Sequence, residues 1–481
     1  MAPAGSAWEL ELNQARQYAL SNNKALNVVR RAPEEAATVI QSAEAVFDPV
    51  FGMSAAGGQL DRQFSNTIQT FGGLVGEQRS DFLRTSDNDF IGLSQRLRTG
   101  GVLSGGWSTD YLSLKPVGQF VLKNPAWYSQ WSVRLEQPLL RGFGRQVNEA
   151  PIMIAYSEHN REQQQVRALA NETLLAVDLA YWNAVGAYHA HRVYGEIVES
   201  ARKMWERERE LLKLGKGSIP NVAQAEEQYH DFQVDKVEAL QTFDAAIREL
   251  LRLMGYPTST ECSLPLQTVP AGTSVEPHWH VALGKVWQRP EVQGQQAAVD
   301  AARITLETAM NGMRADLKLR LQYNITGLET QLDDAIRTMS DAEFDDWTVG
   351  LVFQHPLGKR ADAAAVRAAM ISLRREQLAL EQADHNIVHE LRGAYERILA
   401  EREIATLQTQ RRKSAVSQFE ASGELYESGR MNLLDQLQAQ QIASDARIDE
   451  IRAMIRFNSA IAQWYYAQGD YVNCYQTCPM P

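Results

Sequence analysis

The chain has 481 residues, a formal net charge of −11 at pH 7 and three cysteines. Its acidic balance excludes a general nucleic-acid binder, which needs a basic surface. Cys262, Cys474 and Cys478 are too few for a disulfide scaffold. No run of about 18 apolar residues is present, which excludes a membrane-spanning helix but not a β-barrel, whose strands are short and only alternately apolar.

The first residues, Met1-Ala-Pro-Ala-Gly-Ser-Ala-Trp8, lack the charged start and apolar core of a secretory signal, so the protein is not exported or its signal lies upstream. Apolar periodicity predicts helices over 8–22 and 33–46. At Phe47-Asp48-Pro49-Val50-Phe51 the period changes to alternation. Residues 54–130 are rich in Gly, Ser, Thr, Asn and Asp, with strands expected at 89–98 and 101–112. A third strand, with Trp131, Val133 and Leu135 on one face, is ended by Pro138 and Gly142. From about Asn148 the helical pattern runs to Lys213, roughly 100 Å of helix at 1.5 Å per residue. Val166, Leu169, Thr173, Ala176 and Ala180 hold a/d-like spacing along it. Gly215 and Gly217 then suit a helix end, Ser218 an N-cap and Pro220 a first helical turn. This is the tip of a hairpin that returns over 219–254 and stops at Gly255-Tyr256-Pro257.

After a linker at 257–277 the series repeats. Helices are expected at 278–287 and 290–313. The clearest strand alternates Leu317, Leu319, Leu321, Tyr323 and Ile325 with polar residues, and its partner alternates Trp347, Val349, Leu351 and Phe353. One apolar face and one polar face suit a soluble sandwich, and equally a barrel with lipid outside and water inside. A second long helix at about 361–427 carries Val388, Leu391, Tyr395 and Ile398 on one stripe. It reaches a second tip, Ser428-Gly429-Arg430-Met431-Asn432, and 432–467 returns.

The two tips mark an internal duplication. Gly429 minus Gly215 is an offset of 214, shared by Asn221/Asp435, Ala225/Ala439 and Gly255/Gly469. So long a period means two copies of one large unit. The expected division is a first repeat at 1–256 (strands about 47–140, hairpin about 148–254) and a linker or equatorial segment at 257–277. A second repeat follows at 278–470 (strands about 316–355, hairpin about 361–467), then a tail at 471–481. The fold class is α+β: long coiled-coil hairpins with embedded strand pairs. Two strand pairs, four strands, cannot close a barrel in one chain, so closure needs further copies. The excess of 54–130 over its counterpart 327–346 makes either an added hairpin or long loops.

Phe47-Asp48-Pro49 before the first strand, Gln137-Pro138-Leu139-Leu140-Arg141-Gly142 after the third, Arg289-Pro290-Glu291 opening a helix, and both tips occur in an order that resembles the TolC-like outer-membrane efflux factors. The resemblance spans nearly the whole chain. It implies a homotrimer with a 12-stranded outer-membrane β-barrel and a periplasmic α-helical tunnel. Such a trimer is a passive exit duct for drug, metal or protein export, with an inner-membrane pump and a periplasmic adaptor as partners and outer-membrane lipid around the barrel. It implies pore-constriction residues at Tyr426, Asp435 and Gln438, and adaptor docking at the tips through Gly215, Lys216, Gly217, Gly429, Arg430 and Met431. Relatives close the tunnel with an Arg–Asp pair; here Met431 and Asn221 stand at those positions, which leaves Arg430 or Lys216 as substitutes. The competing class is a soluble coiled-coil scaffold.

No nucleophile, phosphate loop or carboxylate constellation is recognisable, so neither an enzyme nor a cofactor is expected. His385 and His389 have a zinc-compatible spacing without a third ligand, and Glu390 is misplaced for a His-Glu-x-x-His motif. Cys474 and Cys478 form a local bridge or remain free thiols.

Overall fold

The computed structural model describes residues 10–63, 77–84, 91–115, 120–257, 275–469 and 471. The helices are α1 (Leu12–Asn22), α2 (Lys24–Val29), α3 (Ala32–Glu44), α4 (Arg145–Asn148), α5 (Ala150–Lys213), α6 (Ile219–Met254), α7 (Trp279–Lys285), α8 (Pro290–Gly312), α9 (Leu332–Ser340), α10 (Arg360–Glu427) and α11 (Leu433–Ala467). The strands are β1 (Val50–Gly52), β2 (Ala56–Gln63), β3 (Glu77–Arg84), β4 (Ile91–Arg96), β5 (Val102–Lys115), β6 (Ala126–Pro138), β7 (Asp316–Glu329) and β8 (Phe344–Gln354). The four long helices lie within two residues of the spans expected from periodicity. Two compact units divide the chain: Met1–Glu34 with Asn160–Gln296 and Leu378–Pro481, and Glu35–His159 with Ala297–Gln377. Each unit draws on both sequence repeats.

The second unit holds the sheet. All its pairings are antiparallel, in the order β1-β4-β5-β6-β7-β8, with β2 paired to β3 and β3 to β5. The expectation of four strands per chain is corrected here. β1 with β2 forms one arm of an added hairpin and β3 with β4 the other, so the sheet has six strand positions and the excess of 54–130 is an added hairpin. The register sets side chains of one parity on each face. Leu135 opposes Leu321, Leu321 opposes Val349, and Tyr323 opposes Trp347, which joins the apolar rows of β6, β7 and β8. On the opposite face Glu136 binds Lys318 (2.9 Å) and Arg320 (2.8 Å), and Ser132 donates to Asn324 (2.8 Å). Trp347, Val349, Leu351 and Phe353 are 59–72% exposed. Helix α9, unforeseen from sequence, packs against β6 and β7 with Ala335 buried. Gly327 permits this approach, since a Cβ there would collide with the Ala335 carbonyl.

The first unit is helical. Leu10, Ala15 and Ala19 of the N-terminal segment meet Val177, Tyr181 and Val185 of α5 and Leu250 and Met254 of α6 in one core. On the first predicted stripe Thr173 and Ala180 are buried, while the seam proper runs through Leu174, Val177 and Tyr181. Leu391 and Ile398 join Phe457, Ile461 and Trp464 in a second core, and Tyr395 packs on it. A buried ion pair fixes α1 to α5: Arg16 donates to both oxygens of Asp178 (2.7 and 2.6 Å), and the Tyr471 hydroxyl donates to the same carboxylate. The linker, apart from 257 and 275–277, and the tail, apart from Tyr471, lie outside the described residues, as do Cys262, Cys474 and Cys478.

Candidate functional site

The duplicated tips adopt one geometry. At the first, Gly215 takes φ +72°, the N–H of Lys216 donates to the Leu211 carbonyl (2.9 Å), and that of Gly217 donates to the same oxygen (3.0 Å). Ser218 caps α6 by accepting from the Asn221 N–H (3.4 Å), with Pro220 in the first turn. At the second, Gly429 also has φ +72°, and the Arg430 N–H donates to the Leu425 carbonyl (2.9 Å). Asn432 caps α11 by accepting from the Asp435 N–H (2.8 Å). Both are left-handed helix ends that a side chain would strain. A Cβ on Gly215 or Gly429 meets open space, so the need for glycine there is conformational. At Gly217 it would strike the backbone of Leu211 and Leu212. Lys216 and Arg430 are exposed and Met431 is half-buried.

Asp435 and Gln438 are exposed and three residues apart on α11, hence on one helix face. Asp435 lies in the first turn, where the helix dipole favours a carboxylate. Tyr426 points elsewhere. Its hydroxyl donates to the carboxylate of Glu208 on α5, a residue only 1% exposed. The Arg207 guanidinium stands 5.4 Å from the Tyr426 ring centroid and bonds to Glu427 at 3.0 Å. Two adjacent residues of α5 thus hold two adjacent residues of α10. Burial and the Glu208 carboxylate push the Tyr426 phenol above its ordinary value, so it remains a donor at neutral pH.

The substitutes considered for the lost Arg–Asp pair, Arg430 and Lys216, form no ion pair among the described residues. Arg207, Glu208 and Glu427 escape sequence reasoning because the run Glu206-Arg207-Glu208-Arg209-Glu210 reads as a solvated charged face. The available signal was indirect: without its expected neighbours, Tyr426 needed another acceptor.

Farther along the hairpins, Asp235 of α6 and Asp445 of α11 are held above the usual carboxylate range. Burial is the larger cause for both. Asp231, Glu238 and Asp445 add to it at Asp235, and Asp449 at Asp445, while Arg452 opposes at both and Arg411 at Asp445. His385 and His389 are exposed with ring centroids 4.5 Å apart, and no group of three or more potential metal ligands exists among the described residues. No helix among them is long and apolar enough to cross a membrane.

Residues 287–465 match the family model described as outer membrane efflux protein. The alkaline protease secretion protein AprF of Pseudomonas aeruginosa is 25% identical over 273 residues, 55% of this chain and 53% of that protein. The chain thus matches about half the length of this curated relative. Among solved structures, the outer membrane protein VceC of Vibrio cholerae superposes with TM-score 0.67 at 15% identity, covering 95% of this chain and 96% of that one. The outer membrane channel CmeC of Campylobacter jejuni does so with TM-score 0.64 at 17% identity, covering 95% and 85%. The similarity to outer-membrane efflux channels therefore extends over the fold of nearly the whole chain.

Proposed function

We propose, from the premise that the chain resembles the TolC-like outer-membrane efflux factors throughout its fold, that it is the exit duct of a tripartite efflux or type I secretion system. The observation that carries this reading is the exposed apolar row of β8, continued by register into β7 and β6, backed by a charged and amide-bearing opposite face. In water that row is an aggregation surface. In an outer membrane it is the lipid face of a barrel wall whose polar face lines an aqueous lumen. The duct conducts passively and uses no cofactor; energy comes from the inner-membrane pump.

Because one sheet leaves edges unpaired in lipid, the working unit is a homotrimer, with the helical hairpins extending into the periplasm. The tips, through Gly215, Lys216, Gly217, Gly429, Arg430 and Met431, are the surface offered to a periplasmic adaptor. Asp435 and Gln438 face the axis as the constriction. Tyr426 acts beside them as a latch to Glu208, with Arg207 and Glu427 as its second half. The similarity to a protease secretion protein supports export of a polypeptide as one cargo for this architecture. Light scattering in detergent tests the assembly: the expected particle contains three copies of the 54.0 kDa chain. A monodisperse, detergent-free monomer would instead support the coiled-coil scaffold.

A further inference from the structure

The sheet extends past the four strand positions that the resemblance implies. β5 pairs along one edge with β6 and along the other with β3 and β4 together, from Arg79 opposite Lys115 to Arg96 opposite Val102. Both edges of β5 are taken, so a neighbouring copy cannot add there without breaking a ladder. The outer edges of the sheet are those of β8 and of β1 with β2. The apolar face also continues into the added hairpin. Trp107 opposes Ile91, Gly105 opposes Leu93, and Leu93 opposes Phe51, all of one parity with Leu351 of β8. Phe51 is 64% and Leu93 57% exposed, comparable with 66% for Leu351. A flap standing in water has no physical need for this apolar continuity; a wall in lipid does. By contrast, β2 and β3 carry Gln59, Asp61, Arg79 and Asp81 on that face; β3 pairs with β5 from Asp110 to Lys115 and β2 pairs with β3, so they project past the apolar band.

We propose that the part of the added hairpin formed by β1 and β4 belongs to the membrane wall, and that β8 of one copy pairs with β1 of the next. Every neighbouring pair is antiparallel and the number of strand positions is even, so β8 and the next copy's β1 run in opposite directions, as an antiparallel closure requires. Unpaired backbone edges do not persist in hydrocarbon, and a second copy presenting Phe51 continues the apolar face of β8. The inference rests on the trimeric reading above. Three copies of six strand positions then give an 18-stranded wall. Barrel diameter grows roughly linearly with strand number, so this wall is about one and a half times as wide as a 12-stranded one.

Disulfide trapping in the full-length protein tests the seam, with the three native cysteines replaced by serine. Asp346→Cys, Thr348→Cys or Gly350→Cys on β8 is combined in turn with Gly52→Cys on β1 or with Ser104→Cys on β5, and each variant is oxidised in detergent after its mass is measured. The expected result is a trimeric mass with covalent dimers and trimers from a Gly52→Cys combination and none from Ser104→Cys. A trimeric mass with cross-links from Ser104→Cys, or from neither set, overturns the inference and leaves the trimeric duct standing. A monomeric mass for the wild-type protein overturns both.

Discussion

Tyr426, Glu208, Arg207 and Glu427 join α5 to α10 close to the second tip, where the family's Arg–Asp pair is absent. With Asn221 and Met431 unable to form an ion pair, α10 is held to α5 by a phenol donating to a buried carboxylate and by an exposed Arg–Glu contact. A hydrogen bond to a charged group contributes about 1.5–3 kcal/mol, whereas an exposed ion pair contributes about 1 kcal/mol or less. Tyr426→Phe should therefore loosen the latch by about tenfold or more in the open population, and Arg207→Ala should loosen it less. Equal basal conductance of wild type and Tyr426→Phe in planar bilayers would remove the latch. The ion pair of Arg16 and Asp178 has a different consequence. Arg16→Met leaves a fully buried carboxylate without its cation and should lower unfolding stability by about 3–5 kcal/mol, read by denaturant unfolding in detergent. Asp235 and Asp445 set a pH dependence. A carboxyl raised in the folded state stabilises fully below the unfolded-state value of about 4 and loses that contribution as pH rises through its folded-state value. The melting temperature should accordingly fall as pH rises from about 4, and Asp445→Asn should flatten that fall. A steeper fall in the variant would show that the acid cluster is not its source.

At the scale of elements, the tips are where sequence and structure agree most closely. Two glycines 214 residues apart adopt the same φ of +72°, because each must end a long helix and release the chain at once into the next. Replacing Gly215 or Gly429 by a bulky residue strains a left-handed backbone by about 1–2 kcal/mol without a steric clash. Trimer mass should hold while export through a reconstituted pump falls. Undiminished export by both variants would argue against tip docking. The long helices were legible because their apolar stripes and Gly–Pro punctuation are local signals. The strands at 317–325 and 347–353 were legible from alternation. The hairpin of β2 and β3 was not, since Gly57, Gly58, Asp61, Ser80 and Asp81 give no apolar alternation; β2 exists by pairing with β3, and β3 by pairing with β5 as well. Helix α9 is nine residues long in a span for which no element is expected, and it packs closely at Gly327. Glu208 was illegible for a related reason: burial of one acid in a charged run is decided by the helix packed against it.

Across the whole molecule, duplication, an apolar sheet face and paired hairpins are the features that support the proposed duct. In the proposed trimer the exposed Asp435 would recur three times around the pore, and such a ring attracts cations, so selectivity should be cationic and should weaken in Asp435→Asn. The most direct test of the duct is single-channel recording of the wild-type trimer and of Tyr426→Phe in planar bilayers. Small cation-selective steps are expected for the wild type and larger steps for the variant. Stable membrane insertion of both trimers with no conductance from either would contradict the proposed duct.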